Sequence, residues 1–426
     1  MGNKFQSLRG FNDVLPAEAG AWRRLLRTAD EVFAGYGYAE VRLPLLEQAE
    51  LFKRSIGETT DVVEKEMFSF QDRDGDSLTL RPEATASLVR MGLEHGLLHN
   101  QQQRLWTWGP MFRHERPQAG RYRQFHQLDV EAFGMAEPDI DVELVAVAAR
   151  LFRRLGLDVV TLEINSLGGP ETRANYRAAL VAFLGKHQTS LDADSQRRLH
   201  SNPLRVLDSK VAATQAIVRD APVITEHLDD ASRAHFEGFQ RGLSDLGIAF
   251  VINPRIVRGL DYYSRSVFEW TTTELGAQGA VCAGGRYDGL VEQLGGTPTS
   301  AVGWALGIER LLMLMKARKV AVPEFSPQIY VCVLGEAAER EAARRCEILR
   351  DALPALRLTL NAGGGKLPAQ LKRADKSGAS LALILGEAEA ARGVIQVKSL
   401  RENIPPADCA WAELPARLAG LLQLTK

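Results

Sequence analysis

The amino-acid sequence predicts an α+β fold, a mainly antiparallel sheet with helices packed on it, followed by a smaller α/β domain. Three observations predict it. In the longer first part, strand-like runs follow one another as hairpins rather than through crossover helices, which favours antiparallel pairing. A long helical stretch then interrupts the strands. Near the C-terminus, Val-, Ile- and Leu-rich runs alternate with helices, the pattern of a layered α/β unit.

Taken in order, AWRRLLRTADEVFAGYGY predicts a helix, and YAEVRLP, SLTLRP and RLWTWGPMF predict strands. A hairpin return follows, then a helix in IDVELVAVAARLFRRLG. The stretch from about 170 to 246 reads as a helical insertion, after which strands resume in AFVINPRIVRGLDYYSRSVFEW. The passage KARKVAVPEFSPQ, with two prolines after an apolar helix, reads as a linker. This divides the chain into residues 1–325 and 326–426. In the second part, strands IYVCVLG, LRLTLN, LALILGE and VIQVKSL are separated in turn by the helices EAAEREAARRCEILRDAL and LPAQLKRADKSGA.

Composition narrows the function classes. At 45% hydrophobic and 25% charged, the 426 residues have an ordinary globular composition and length enough for two or three domains. No run approaches the roughly 18 apolar residues of a membrane span, and MGNKFQSLRGFNDVLP has no apolar segment behind a basic start. A cytoplasmic location with no membrane partner is expected. Cys282, Cys332, Cys346 and Cys409 form no C-x-x-C pair, so they are expected as buried apolar residues rather than disulfides or zinc ligands. The formal net charge of −1 gives no global sign of nucleic acid, so any such partner must meet a local basic patch.

The densest chemistry lies in PMFRHERPQAGRYRQFHQLDVEAFG, from Pro110 to Gly134. Alternation in the return strand puts Leu128, Val130 and Ala132 toward a core and Gln127, Asp129 and Glu131 on the opposite face. An outer face in water is the usual reason for such polarity. Here, however, Arg113, Arg116, Arg121 and Arg123 crowd the adjoining strand end and loop. Guanidinium forks bind phosphate oxygens, while carboxylates bind ammonium or imidazole N–H groups, so the combination suits a site taking both.

FRHERPQAGRYRQFHQ resembles motif 2 of the class II aminoacyl-tRNA synthetases. GYGYAEVRLPLLE, with Pro44, resembles their motif 1, the dimer element, and AVGWALGIERLLML, with Arg310, resembles motif 3. LTLRPEATA, RGLDYYSR and CAGGRYDGLVEQLGG are similar to the histidine-binding segments of the histidyl-tRNA synthetase family, and the likeness runs from RGFNDVLP to the C-terminal domain. It implies the class II antiparallel sheet, a helical insertion, an anticodon-binding domain, and a homodimer.

The activity so implied joins L-histidine to ATP as histidyl-adenylate with release of pyrophosphate, then transfers histidine to the terminal adenosine of tRNA(His). Mg²⁺ follows from ATP use, with no ligand set identified. The resemblance implies Arg113, Arg258 and Arg310 as ATP-binding and catalytic residues. It implies Glu83, Thr85 and Gln127 for the α-amino group, Glu131 and Tyr263 for the imidazole, and Tyr287 beside them; glycines in a loop such as AGGRYDG often mark only a tight turn, and here Gly284 and Gly285 are implied for close backbone approach. Arg116, Gln118 and Arg123 are implied as acceptor-end contacts, and no role is implied for Asp129.

Other features are weaker. NAGGGKLPAQ lacks the order of a phosphate loop. Lys366, Lys372, Arg373 and Lys376 there fit an RNA-facing surface or a solvated helix face. His95 and His99 have the helical spacing of a zinc pair but no third ligand, so an exposed pair is expected. The alternative from another class is a histidine-sensing, non-catalytic regulatory subunit of ATP phosphoribosyltransferase. Such paralogues lack the anticodon domain and parts of the catalytic pattern, both of which this chain keeps.

Overall fold

The computed structural model describes residues 5–57, 60–207, 209–256, 260, 262–276, 279–323 and 325–423. The chain divides into two compact units, Met1–Val322 and Pro323–Lys426.

In the first unit the strands are β1 (Ala39–Glu40), β2 (Leu46–Gln48), β3 (Phe68–Gln71), β4 (Ser77–Leu80), β5 (Gln103–Phe112), β6 (Gln124–Phe133), β7 (Thr161–Ser166), β8 (Phe250–Ile252), β9 (Ser264–Thr271), β10 (Ala280–Arg286) and β11 (Ala301–Gly307). Among the described residues, eight of them form one sheet in the order β1-β5-β6-β11-β10-β9-β7-β8. Its interior pairs are antiparallel, and only the outer pairs β1/β5 and β7/β8 are parallel.

One face of this sheet carries the main core. Leu128, Val130 and Ala132 of β6 and Val302, Trp304 and Leu306 of β11 pack there against the helices Pro16–Gly35, Pro138–Leu155, Asp230–Asp245 and Ile308–Ala317. Burying these aliphatic and aromatic faces supplies the main driving force for the layer. The Trp304 indole N–H donates to the Leu144 carbonyl at 3.0 Å, so its polar atom is satisfied inside the core.

Several elements differ from the sequence expectation. SLTL, which reads as one more strand of the antiparallel series, belongs instead to a separate small sheet, β2-β4-β3. TLEINS, β7, is a strand that its short mixed sequence did not announce. The glycine-rich AVCAGGR is itself a sheet strand, β10, not a loop. A Cβ on Gly284 would lie 2.2 Å from the Gly303 carbonyl oxygen of β11, so this strand needs glycine to pair so closely. The helix Thr85–Glu94 ends before His95, so His95 and His99 are exposed but do not share a helix face. Residues between β7 and β8 supply the helices Pro170–Gly185, Ala193–Ser201, Ala212–Val218 and Asp230–Asp245.

The second unit contains β12 (Ile329–Leu334), β13 (Leu358–Leu360), β14 (Leu381–Gly386), β15 (Val394–Ser399) and β16 (Ala407–Ala410), ordered β13-β12-β14-β15-β16. Ile329, Val331 and Val333 face a core with the helices Glu336–Ala352 and Leu414–Leu421, whereas Tyr330 and Cys332 face one with Leu367–Lys376. Both faces of β12 are thus covered, which is why its sequence is apolar throughout rather than alternating. All four cysteines are buried. No helix among the described residues is long and apolar enough to cross a membrane.

Candidate active site

The other face of the large sheet holds the candidate site. Gln127, Asp129 and Glu131 of β6 lie directly opposite Gly307, Ala305 and Gly303 of β11. The sequence GWALG therefore does two things through strand alternation: Trp304 and Leu306 fill the core, and small residues leave room on the ligand-facing side. At Gly303 the fit is decisive. A Cβ there would fall 1.4 Å from Glu131 Oε2, so the carboxyl occupies the space a side chain would take.

Glu131 is the centre of a buried cluster. Its Oε1 accepts from Thr85 Oγ1 at 2.7 Å and its Oε2 from the Tyr287 hydroxyl at 2.5 Å. Burial holds its carboxyl well above the usual range, against the downward pull of these two donors. Glu83, between β4 and the helix Thr85–Glu94, accepts the backbone N–H groups of Thr85 at 2.8 Å and Ala86 at 2.9 Å. Burial raises its carboxyl as well. Tyr287 edges onto Tyr262, and Tyr262 onto Tyr263, with ring centroids 5.5 Å and 4.7 Å apart.

Beside this cluster opens a cleft of about 450 Å³, lined among others by Arg113, Phe125, Gln127, Tyr263, Ala305 and Arg310. Arg113, just after β5, donates from Nε to the Pro82 carbonyl at 2.9 Å, with its guanidinium over the Phe125 ring at 5.3 Å. Arg310, in the first turn of Ile308–Ala317, donates to the carbonyls of Gly120 at 3.2 Å and Ala280 at 2.8 Å. Burial, and then the like charges of Arg121 and Arg113, press its pKa below the usual guanidinium range. Guanidiniums that raise one another's energy in a cleft mark a place for a polyanion.

The loop between β5 and β6 lines the same cleft through Glu115, Gly120, Arg121 and Tyr122. Gln118 and Arg121 bridge through their backbones, and Arg121 pairs with Glu115 at 2.7 Å. Arg123 turns inward, donating from Nε to the Glu115 carbonyl at 3.2 Å, while its backbone N–H reaches Gly10. Arg116 and Gln118 point to solvent.

The profile of the histidyl-tRNA synthetase family matches residues 10–311, and that of an anticodon binding domain matches residues 328–415. The chain belongs to the histidyl-tRNA synthetase family. Among solved structures, apo histidyl-tRNA synthetase of S. aureus is 32% identical over 97% of this chain and 99% of its own, with a TM-score of 0.81. Histidyl-tRNA synthetase from a Nostoc species is 22% identical over 98% of this chain and all of its own, with a TM-score of 0.70. A Bacillus halodurans protein described as an ATP phosphoribosyltransferase regulatory subunit/histidyl-tRNA synthetase is 21% identical over 91% of this chain and 99% of its own, at 0.66. These last two show the shared fold.

Within this histidyl-tRNA synthetase fold the expected residues fall into two groups. Arg113, Gln127, Tyr263 and Arg310 line the cleft, while Glu83, Thr85, Glu131 and Tyr287 form the buried cluster beside it. Gly285 sits on β10 opposite Gly303. Arg258 lies outside the described residues.

Three contributors were not singled out from sequence. Gly303 hides in an apolar strand, and its role needs the cross-strand register to be known. Glu309 lines the cleft and accepts from both the backbone N–H of His126, at 2.9 Å, and its Nδ1, at 2.8 Å, which ties the motif 3 helix to β6. Arg81 is buried and donates to the Pro110 carbonyl at 3.0 Å, fastening the segment that carries Glu83 to the end of β5. Its place in LTLRPEATA was the available signal.

Proposed function

We propose that the protein is a histidine–tRNA ligase that activates L-histidine with ATP and transfers it to tRNA(His). The observation that carries this reading is the pairing of an arginine-lined cleft with a buried carboxyl and tyrosine cluster on one face of one sheet.

In the first step a histidine carboxylate oxygen attacks the α-phosphorus of ATP. The bond to the bridging oxygen breaks and pyrophosphate leaves. The attacking carboxylate is already ionised near neutral pH, so positioning and charge neutralisation are what the protein must supply. Arg113 and Arg310, both held by backbone carbonyls, meet the phosphate oxygens in this reading. Arg258 is assigned to the α-phosphate by its motif match. Glu131 and Tyr263 take the two imidazole nitrogens, with Tyr287 beside them, and Glu83, Thr85 and Gln127 serve the α-amino group. A site that hydrogen-bonds both ring nitrogens rejects analogues lacking them, because its buried polar groups would be left without partners.

ATP brings Mg²⁺ as the counter-ion of its phosphates. Among the described residues, no group of three or more His, Cys, Asp or Glu side chains is arranged to hold a metal ion. Exposed Arg116 and Gln118 serve the acceptor end with Arg123, and the second unit reads the GUG anticodon. A cytoplasmic homodimer is part of the same reading.

Charging tests it. With ATP, labelled histidine and tRNA bearing GUG, the purified protein should form histidyl-tRNA, and tRNA with an altered anticodon should be charged far less. Histidine binding without charging would favour the regulatory paralogue instead.

A further inference from the structure

The middle polar residue of β6 is the least satisfied group in the site. Glu131 accepts two hydrogen bonds and so does Glu83. Asp129 is 1% exposed, and among the described residues neither of its carboxyl oxygens has a hydrogen-bond partner. Gln127 Oε1 and Thr107 Oγ1 are likewise buried without partners. Thr107 pairs with Asp129 across β5, and Ala305, a lining residue of the cleft, pairs with it across β11. Unmet polar atoms thus collect at one place on the floor of the site, where a buried acceptor without a donor is costly.

The charges bearing on Asp129 are Glu83 and Arg81 from the segment before the helix Thr85–Glu94, Arg113 from the end of β5, and Glu131 on its own strand. Among the described residues, three buried carboxyl groups therefore face two guanidiniums. Both guanidiniums already donate to backbone carbonyls, Arg81 to Pro110 and Arg113 to Pro82. The missing partner is a compact cation with several N–H donors.

We propose that Asp129 is a further substrate-binding residue, receiving the α-ammonium group of the amino acid with Gln127 and releasing its own proton to solvent as that group arrives. This rests on the reading that the cleft binds histidine. No covalent bond changes except the Asp129 O–H; the ammonium keeps its three protons, and the proton from Asp129 goes to buffer. Burial, and next the like charge of Glu83, raise the Asp129 carboxyl to about 8, so near neutral pH it is mostly protonated until a cation stabilises the ionised form. Glu131, two residues along the same face, remains for the imidazole.

The test is calorimetric titration at pH 7 in buffers of different ionisation enthalpy, with wild type and Asp129→Asn. Histidine is compared with histamine, which keeps the ammonium, and 3-(imidazol-4-yl)propionate, which lacks it. Wild type should release roughly one more proton per histidine bound than the variant. The variant should lose about tenfold or more in affinity for histidine and histamine and keep its affinity for the propionate. Equal proton release, or equal weakening of all three ligands, would overturn the role of Asp129. Failure of wild type to bind histidine at all would instead overturn the proposed function, and this role with it.

Discussion

Replacing Gly303 by alanine should disable histidine recognition while sparing the nucleotide. The new methyl would lie 1.4 Å from Glu131 Oε2 and 2.7 Å from the Val130 carbonyl oxygen, so the Glu131 carboxyl must move by about 2 Å to reach ordinary contact. That displacement breaks the 2.5 Å bond from Tyr287 and the 2.7 Å bond from Thr85. Each such bond contributes about 0.5–1.5 kcal/mol, and a buried polar group left without its partner costs about 1–3 kcal/mol, so the loss is on the order of 3 kcal/mol, roughly 150-fold in kcat/KM for histidine. The assay is pyrophosphate exchange with histidine varied at saturating ATP and then the reverse; KM for ATP should stay within about threefold. Gly35→Ala, at the end of the helix Pro16–Gly35 with nothing within 4 Å of the added methyl, is the control for a glycine replacement away from the site. Tyr287→Phe removes one of the two bonds without crowding the strand and should cost about half as much in free energy. Wild-type histidine kinetics in both Gly303→Ala and Tyr287→Phe would refute the argument.

Further outcomes are expected elsewhere. Arg113→Ala should lower the exchange rate by roughly two to three orders of magnitude, as loss of one preorganised charge typically does, with circular dichroism unchanged. Arg116→Ala should raise the tRNA concentration needed for charging and leave exchange intact; equal damage to both would reject the acceptor-end role. Arg286 is fully buried against Asp141, so Arg286→Met strands that carboxylate and should lower stability by about 3–5 kcal/mol, read by denaturant unfolding. For Asp129, the folded carboxyl is raised to about 8 from 3.8, so the native state keeps a proton that the unfolded chain loses. Its contribution is therefore fully present below the unfolded value and is lost as pH rises toward the folded one. Asp129→Asn should gain stability relative to wild type by about 1.4 kcal/mol per pH unit between pH 5 and pH 7, and a flat difference would contradict the buried, protonated state.

Period-two alternation made β6 legible, because Leu128, Val130 and Ala132 on one side and Gln127, Asp129 and Glu131 on the other are a local pattern. The α/β character of the second unit was legible for the same reason, its strands being apolar and its helices charged. TLEINS was not, since a six-residue mixed run owes its strand state to pairing with β9 and β8, which sequence does not display. AVCAGGR misled because two glycines ordinarily mark a turn, whereas here they permit close pairing inside a sheet. In the site, residue types could be read but not their partners. That Gly303 yields its space to Glu131, and that Asp129 finds no donor among the described residues, both depend on which strands lie side by side.

The measurement that bears most directly on the central claim is histidine-dependent exchange of labelled pyrophosphate into ATP, run on the purified protein with each of the other proteinogenic amino acids as controls. Exchange is expected with histidine alone, and it should be lost in Arg113→Ala. Histidine binding with no exchange, or exchange with another amino acid, would contradict it.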